Sequence, residues 1–243
     1  MKNIKNIIDS NKYKSAMSIL FTAGDLGEKK DIDVFVVGGF VRDLLMDKAL
    51  NDIDLMVVGD GILFAKYLAR KLGLKKIVPF PKFGTAIIPY RKINIEIASA
   101  RNEIYSGDSR KPSKVVYTDL EGDLSRRDFT INSMAMGIRP SCFGDLTDPF
   151  NGEEDIRNKI LRTPLDPDET FSEDPLRMMR AAYFSSKLNF KIDQNTLNSI
   201  KKTSHRIKIV SSERIRDEFI KILNTDKPSI GIVLLQKTGL LKF

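Results

Sequence analysis

The sequence predicts an α+β protein, with a sheet-bearing region over roughly the first 150 residues and helices alone beyond it. Three observations carry this. Ile93, Ile95 and Ile97 alternate with Asn94, Glu96 and Ala98, the period of a strand with one buried face. Residues 34–37 are a β-branched and aromatic run that breaks at Gly38-Gly39, and Val41, Leu44 and Leu45 follow at helical spacing. Past the turn signal DPFNG at 148–152, only helical patterns recur, over 153–158, 174–188, 194–203, 211–223 and 229–240.

The remaining elements follow in chain order. Ile4, Ile7, Ile8, Ile19 and Leu20 predict one or two helices over 3–21, and the polar GDLGEKKD at 24–31 predicts a break. Strands are expected at 53–58, near 76–78 and at 85–89, with a helix over 63–72. Residues 104–124 are rich in Gly, Ser, Asp and Pro and predict a long loop. Ile131, Met134, Ala135 and Ile138 share one helical face.

Composition narrows the chemistry. In 243 residues there is one cysteine, Cys142, so no intramolecular disulfide and no Cys-rich zinc site can form. A single histidine, His205, excludes His-rich metal sites and argues against a Ser-His-Asp hydrolase; we expect it on the surface, and Cys142 at least half-buried. A bound metal would need oxygen ligands, which points to magnesium, calcium or manganese. Lys and Arg outnumber Asp and Glu by 40 to 32, a balance that suits nucleic acid or an acidic membrane surface, or simply a Lys-rich solvated exterior. No apolar run nears the ~20 residues of a membrane span, and the N-terminus lacks the apolar core of a signal peptide, so no membrane partner and a cytoplasmic location are expected.

Four constellations could carry function. Asp52-Ile53-Asp54 leads into a strand, and residues i and i+2 of an extended chain point the same way. Glu96 points away from the Ile93/Ile95/Ile97 layer; if its strand lies beside Asp54, three carboxylates share one face, as two-metal phosphoryl or nucleotidyl transfer requires. A dehalogenase-type phosphatase also uses DxD, but here the apolar run LMVV follows the pair instead of preceding it. Gly38-Gly39-Phe40-Val41-Arg42-Asp43 is a glycine turn into a helix, able to cradle a triphosphate, with Arg42 able to bond phosphate. It lacks the GK[ST] ending of a Walker loop. Arg126, Arg127, Asp128 and Asn132 stand where Asp128 would cap a helix and the arginines could reach phosphate or ribose. Asp174 and Pro175 read as a helix start, and Asp174 and Arg177 share a face, as an internal salt bridge or as a reader of a base edge.

With these residues in view, GGFVRD, DID, EIASAR, YSGDSRKP, LSRRDFTINSMAM, DPFNGEEDI, LRTPLDPDETFSEDPLRMMRA and VSSERIRDEFIKIL occur in an order and spacing that resemble the class II tRNA nucleotidyltransferases. These are the CCA-adding enzymes, related to bacterial poly(A) polymerases. The likeness covers about 33–240. It implies a nucleotidyltransferase (polymerase-beta-like) mixed-sheet head followed by an all-helical neck. With the N-terminal helices read above, the expected division is an N-terminal helical segment at 1–25, the head at 26–150, the neck at 151–225 and the start of a helical body at 226–243. It implies Asp52 and Asp54 as ligands of magnesium (Mg2+) with Glu96 as the third acid. Gly38, Gly39, Arg42 and Asp43 would lie on the triphosphate, and Arg126, Arg127, Asp128 and Asn132 on ribose and phosphate. Asp174 and Arg177 would template CTP or ATP, with Arg180 beside them, and 104–119 would be a flexible selection loop.

The expected reaction is CMP and AMP addition to the 3′ end of tRNA. A poly(A) polymerase or an A-only or CC-only adding enzyme shares these motifs; a non-catalytic RNA-binding module would have no use for the carboxylates. Two departures from the family are visible. Tyr183 stands where another arginine is frequent, and the chain stops where the body would begin. The seven aliphatic residues within 230–241 therefore predict a cut end prone to self-association. The segment 201–216 carries six Lys or Arg against one Glu and predicts weak, salt-dependent RNA contact.

Overall fold

The computed structural model describes residues 2–8, 13–50, 52–91, 93–104 and 114–243. They divide into two units. The first comprises 1–102, 115–124 and 132–153; the second comprises 103–114, 125–131 and 154–243.

The first unit is built on β1 (Lys2–Asn3), α1 (Lys5–Ile8), α2 (Lys14–Lys30), β2 (Val34–Val37), α3 (Gly39–Leu45), β3 (Ile53–Val57), α4 (Gly61–Lys71), β4 (Val78–Phe80), β5 (Thr85–Tyr90) and β6 (Ile93–Ser99). β7 (Arg101–Ile104) and β8 (Lys114–Tyr117) form a two-stranded pair, followed by α5 (Leu120–Ser125), β9 (Ala135–Gly137) and β10 (Asp145–Thr147). One eight-stranded sheet runs β1-β10-β9-β2-β3-β6-β5-β4. β3 and β6 are parallel; the other neighbours are antiparallel.

One sheet face is covered by helices. Val34, Val36, Leu55, Val57, Ile95 and Ile97 are buried there with Leu20 and Ala23 of α2 and Phe64 and Leu68 of α4. The other face is partly covered: Val37, Met56, Ala100, Leu124 and Ala135 make a small core with Phe35, Leu120 and Phe150. Asn94 and Glu96 on that side of β6 are exposed.

Four expectations change here. The polar stretch at 24–31 is no break: α2 runs through it to Lys30 and ends at Asp31, whose φ is 51°. Its glycines serve close packing, since a Cβ on Gly24 would lie 1.8 Å from the Ile138 carbonyl oxygen and one on Gly27 2.7 Å from Val34 Cγ2. Nor do residues 131–138 form a helix. A 3-10 turn spans Thr130–Asn132, and β9 lies between β2 and β10. Met134, Ala135, Met136 and Ile138 are all buried, and a strand covered on both faces loses the alternation that would betray it. The loop expected over 104–124 contains β8 and α5; residues 105–113 lie outside the described residues. The strand expected near 76–78 sits two residues later, as β4.

The second unit holds most of α6 (Gly152–Asn158), β11 (Ile160–Leu161), α7 (Pro167–Glu173), α8 (Leu176–Leu188), β12 (Lys191–Ile192), α9 (Gln194–Thr203), α10 (Ser212–Leu223) and α11 (Pro228–Thr238). α8 is the central helix, packed by α7, α10 and α11. The expectation of helices alone is corrected by the parallel pair β11–β12, too short to leave a period in the sequence. Asp166 and Asp193 cap α7 and α9 by accepting two backbone N–H bonds each. The aliphatic C-terminus is only partly uncovered: Leu235 and Leu240 are buried, while Val233, Leu241 and Phe243 are exposed. His205 is exposed and Cys142 is half-buried, as expected. No helix among the described residues is long and apolar enough to cross a membrane.

Candidate active site

Asp54 of β3 stands directly opposite Glu96 of β6 in the parallel register. Neighbouring strands are about 4.8 Å apart and paired residues point to the same face, so the two carboxylates share the open side of the sheet. Asp52 lies just before β3, and its Oδ1 accepts the Asn94 backbone N–H at 3.2 Å. Partial desolvation against the sheet, and then the charge of Asp52, raise the Glu96 pKa above its ordinary value. The donors are all carboxylate oxygens, the ligand type of magnesium and other hard divalent cations, and facing like charges are what such a cation relieves. By donor chemistry the residues fit such an ion. Among the described residues, no group of three or more His, Cys, Asp or Glu is gathered closely enough to hold one as a ready cluster.

The glycine turn joins β2 to α3. Gly38 has φ 68° and ψ −129°, a conformation that strains any side-chain-bearing residue. Its N–H donates to the Met134 carbonyl at 3.0 Å, and its own carbonyl accepts the Arg42 N–H at 3.1 Å. Arg42 is buried. It donates Nε and Nη2 to the two carboxylate oxygens of Asp43, each at 2.9 Å, and Nη1 to Asn132 Oδ1 at 2.6 Å. The Arg42 guanidinium thus braces the turn, with Asp43 and Asn132 among its partners.

Asp128 is followed by the short 3-10 turn Thr130–Asn132 and not by the longer helix expected there. Its Oδ1 accepts the Phe129 N–H at 2.9 Å, and its Oδ2 accepts Arg180 Nε at 2.7 Å. The Asp128 charge is the main reason the Arg180 pKa is raised. Arg180 also lies 5.2 Å from the Phe184 ring centroid, and Phe184 meets Phe129 edge-on at 5.9 Å. Arg126 and Arg127 are half-buried.

The helix start at 174–176 is confirmed one residue later than expected: Asp174 Oδ1 accepts the Leu176 N–H at 3.2 Å, and Pro175 occupies the cap position of α8. Arg177 is buried; its Nη2 donates to the Arg126 carbonyl at 2.6 Å, and its Nη1 to the Thr170 carbonyl at 3.2 Å and to Glu173 at 3.4 Å. Asp174 Oδ2 takes Arg214 at 3.5 Å. Glu173 and Arg214 are the partners that motif reading missed. Arg214 lies in the basic 201–216 segment, and Glu173 stands four positions before Arg177, so both had a signal.

The family described as the poly A polymerase head domain matches residues 34–162, and one described as the probable RNA and SrmB-binding site of polymerase A matches 189–243. The A-adding tRNA nucleotidyltransferase of Geobacter sulfurreducens is 34% identical over 245 residues, covering 100% of this chain and 27% of that protein. The CCA-adding enzyme of Lactobacillus helveticus is 38% identical, covering 86% and 50%. Among solved structures, the Thermotoga maritima CCA-adding enzyme complexed with tRNA superposes with a TM-score of 0.86 at 30% identity, covering 99% of this chain and 55% of that one. This chain spans half the length of these curated relatives or less. The first unit therefore has the fold of a nucleotidyltransferase head with a mixed sheet. The chain belongs to the poly A polymerase head-domain family, and its resemblance to the class II tRNA nucleotidyltransferases holds.

Proposed function

We propose that this chain carries the nucleotidyl-transfer chemistry of an enzyme that adds CMP and AMP from CTP and ATP to the 3′ end of tRNA. The observation that carries the reading is Asp54 facing Glu96 across parallel strands, with Asp52 two positions before it. Asp52 and Asp54 bind magnesium and Glu96 adds a third acidic oxygen. Bound there, the metal neutralises phosphate charge and lowers the pKa of the attacking hydroxyl. The RNA 3′ hydroxyl attacks the α-phosphorus in line and pyrophosphate leaves. No protein nucleophile is needed, which suits a chain with one cysteine and one histidine.

The remaining residues position the nucleotide. Gly38 and Gly39, braced by Arg42, Asp43 and Asn132, shape the turn that receives the triphosphate. Arg126 and Arg127, with Asp128 fixed by Arg180, serve ribose and phosphate. Asp174 and Arg177 read the base edge. Relatives named for A addition and for CCA addition match at similar identity, so A-only addition is a specific second reading. Incubating the chain with magnesium, labelled CTP or ATP, and tRNA transcripts ending before CCA or after CC tests both. Addition of C then A to the first transcript supports the first reading, A on the second transcript alone supports the second, and long A tails would indicate a poly(A) polymerase. No product on any transcript overturns nucleotidyl transfer by this chain.

A further inference from the structure

The open face of the head sheet continues beyond the carboxylates. Glu96 pairs with Ile87 of β5, and Ile87 with Val78 of β4. Two residues along, Ala98 pairs with Thr85, and Thr85 with Phe80. Asp54, Glu96, Ile87 and Val78 therefore form one row on one face, with Phe80 ending the next row. On the opposite face of these strands, Ala86, Ile88, Ile95 and Ile97 are buried. At the outer edge Val78 and Phe80 are 37% and 40% exposed, and Phe83, on the turn after β4, is 46% exposed.

This edge is held in place. The Gly84 carbonyl, which closes the turn, accepts the Ser99 backbone N–H at 3.0 Å and its hydroxyl at 3.2 Å. Arg101 donates to the Phe83 carbonyl, and its guanidinium lies 5.9 Å from the Phe83 ring centroid. The charge is one-sided: from Leu72, just after α4, to Ile95 the chain has five Lys or Arg and no Asp or Glu. Exposed Lys76 and Lys82 flank β4. Pro79 and Pro81 remove N–H donors from the edge, which disfavours strand addition by another protein.

We propose that this edge is a stacking platform for single-stranded RNA, with bases on Phe80 and Phe83 and phosphates on Lys76 and Lys82. Rigid aromatics set among cations, with no acid between them, are the chemistry that binds single strands without reading their sequence. β4 lies two strand spacings, about 10 Å, from the Glu96 strand. A strand whose 3′ hydroxyl sits at the carboxylates thus lays its preceding bases on the platform. That last placement rests on the transfer function proposed above; the platform itself rests on its own residues.

The test uses the full chain and a short RNA ending in CC with 2-aminopurine near its 3′ end, whose fluorescence falls on stacking. Phe80→Ala and Phe80→Leu are each expected to weaken RNA binding about tenfold, the scale of one lost base–aromatic stack. Both should raise the KM for RNA and leave the KM for ATP unchanged, which also shows that the variants fold. Phe80→Tyr should behave as the unaltered chain. Unchanged RNA binding in the Ala and Leu variants overturns the proposal, as does a Leu variant that binds like the parent, which would mean mere apolar contact. A dimer seen by light scattering and dissolved by Phe80→Ala would make this edge a self-interface and also overturn it. Quenching that depends on Phe80 in a chain that transfers no nucleotide supports the platform and sinks the transfer reading alone.

Discussion

Arg180 grips Asp128 with two nitrogens, Nε at 2.7 Å and Nη2 at 2.6 Å, although 52 positions separate them in the chain. The aspartate is buried and the arginine about one-third exposed. Removing the arginine strands a carboxylate in a largely dry site. Arg180→Ala is expected to cost about 2–3 kcal/mol in urea unfolding. A loss below about 0.5 kcal/mol would mean that solvent already screens the pair.

Asp54→Asn tests the acidic row. The side chain is half-buried at the start of a strand and contributes no apolar area to the core. The variant should melt within a few degrees of the parent while nucleotide transfer falls by at least about a thousandfold, or about 4 kcal/mol of transition-state stabilisation. Wild-type turnover with magnesium would remove Asp54 from the site.

Arg177 has a double role to disentangle. Its guanidinium supports the Arg126 and Thr170 carbonyls, so Arg177→Ala should lower stability by about 2 kcal/mol. If Arg177 also reads the base, the ratio of CTP to ATP incorporation should shift by about tenfold, as expected for a lost base-edge contact. A destabilised variant with an unchanged ratio would leave Arg177 a purely structural residue.

Asp155 supplies a pH test. It is buried, accepts the Thr130 hydroxyl at 2.7 Å, and has its pKa raised, chiefly by burial. A raised folded-state pKa means that the neutral form is favoured in the fold. Its contribution to stability is full below the ordinary Asp pKa of about 3.9 and is lost as pH rises through the raised value. Asp155→Asn keeps an acceptor for Thr130 and should therefore be more stable than the parent at neutral pH. The two unfolding curves should converge below about pH 4. A variant less stable than the parent at neutral pH would show that the Arg162 contact outweighs burial.

What the sequence made legible was whatever obeys a local period. The alternation around Glu96 placed that residue on the open face of β6, and the Asp54 neighbour completed the row. Residues 131–138 misled because burial on both sides of β9 erased the alternation and left a spacing that mimics a helix. Gly24 and Gly27 misled for the opposite reason: they look like a break but admit Ile138 and Val34 against α2. Long-range partners such as Arg42 with Asn132 or Asp174 with Arg214 leave no local trace, because each is made by tertiary folding.

Among the described residues, β3–β6 is the only parallel neighbour pair of the large sheet, and it is the pair that carries Asp54 and Glu96. Parallel strands cannot be joined by a tight turn; here residues 58–92 must be looped out before the ladder closes. β4–β5 and β5–β6 are sequence neighbours and can zip locally, whereas the acidic row waits on a contact of high sequence separation. On a ribosome, a nascent chain that has emerged only as far as β5 holds the DxD pair without its facing glutamate. The acidic row is thus complete once β6 has emerged, while the sheet still waits for β9 and β10, which close onto β2 and β1 over far greater separations.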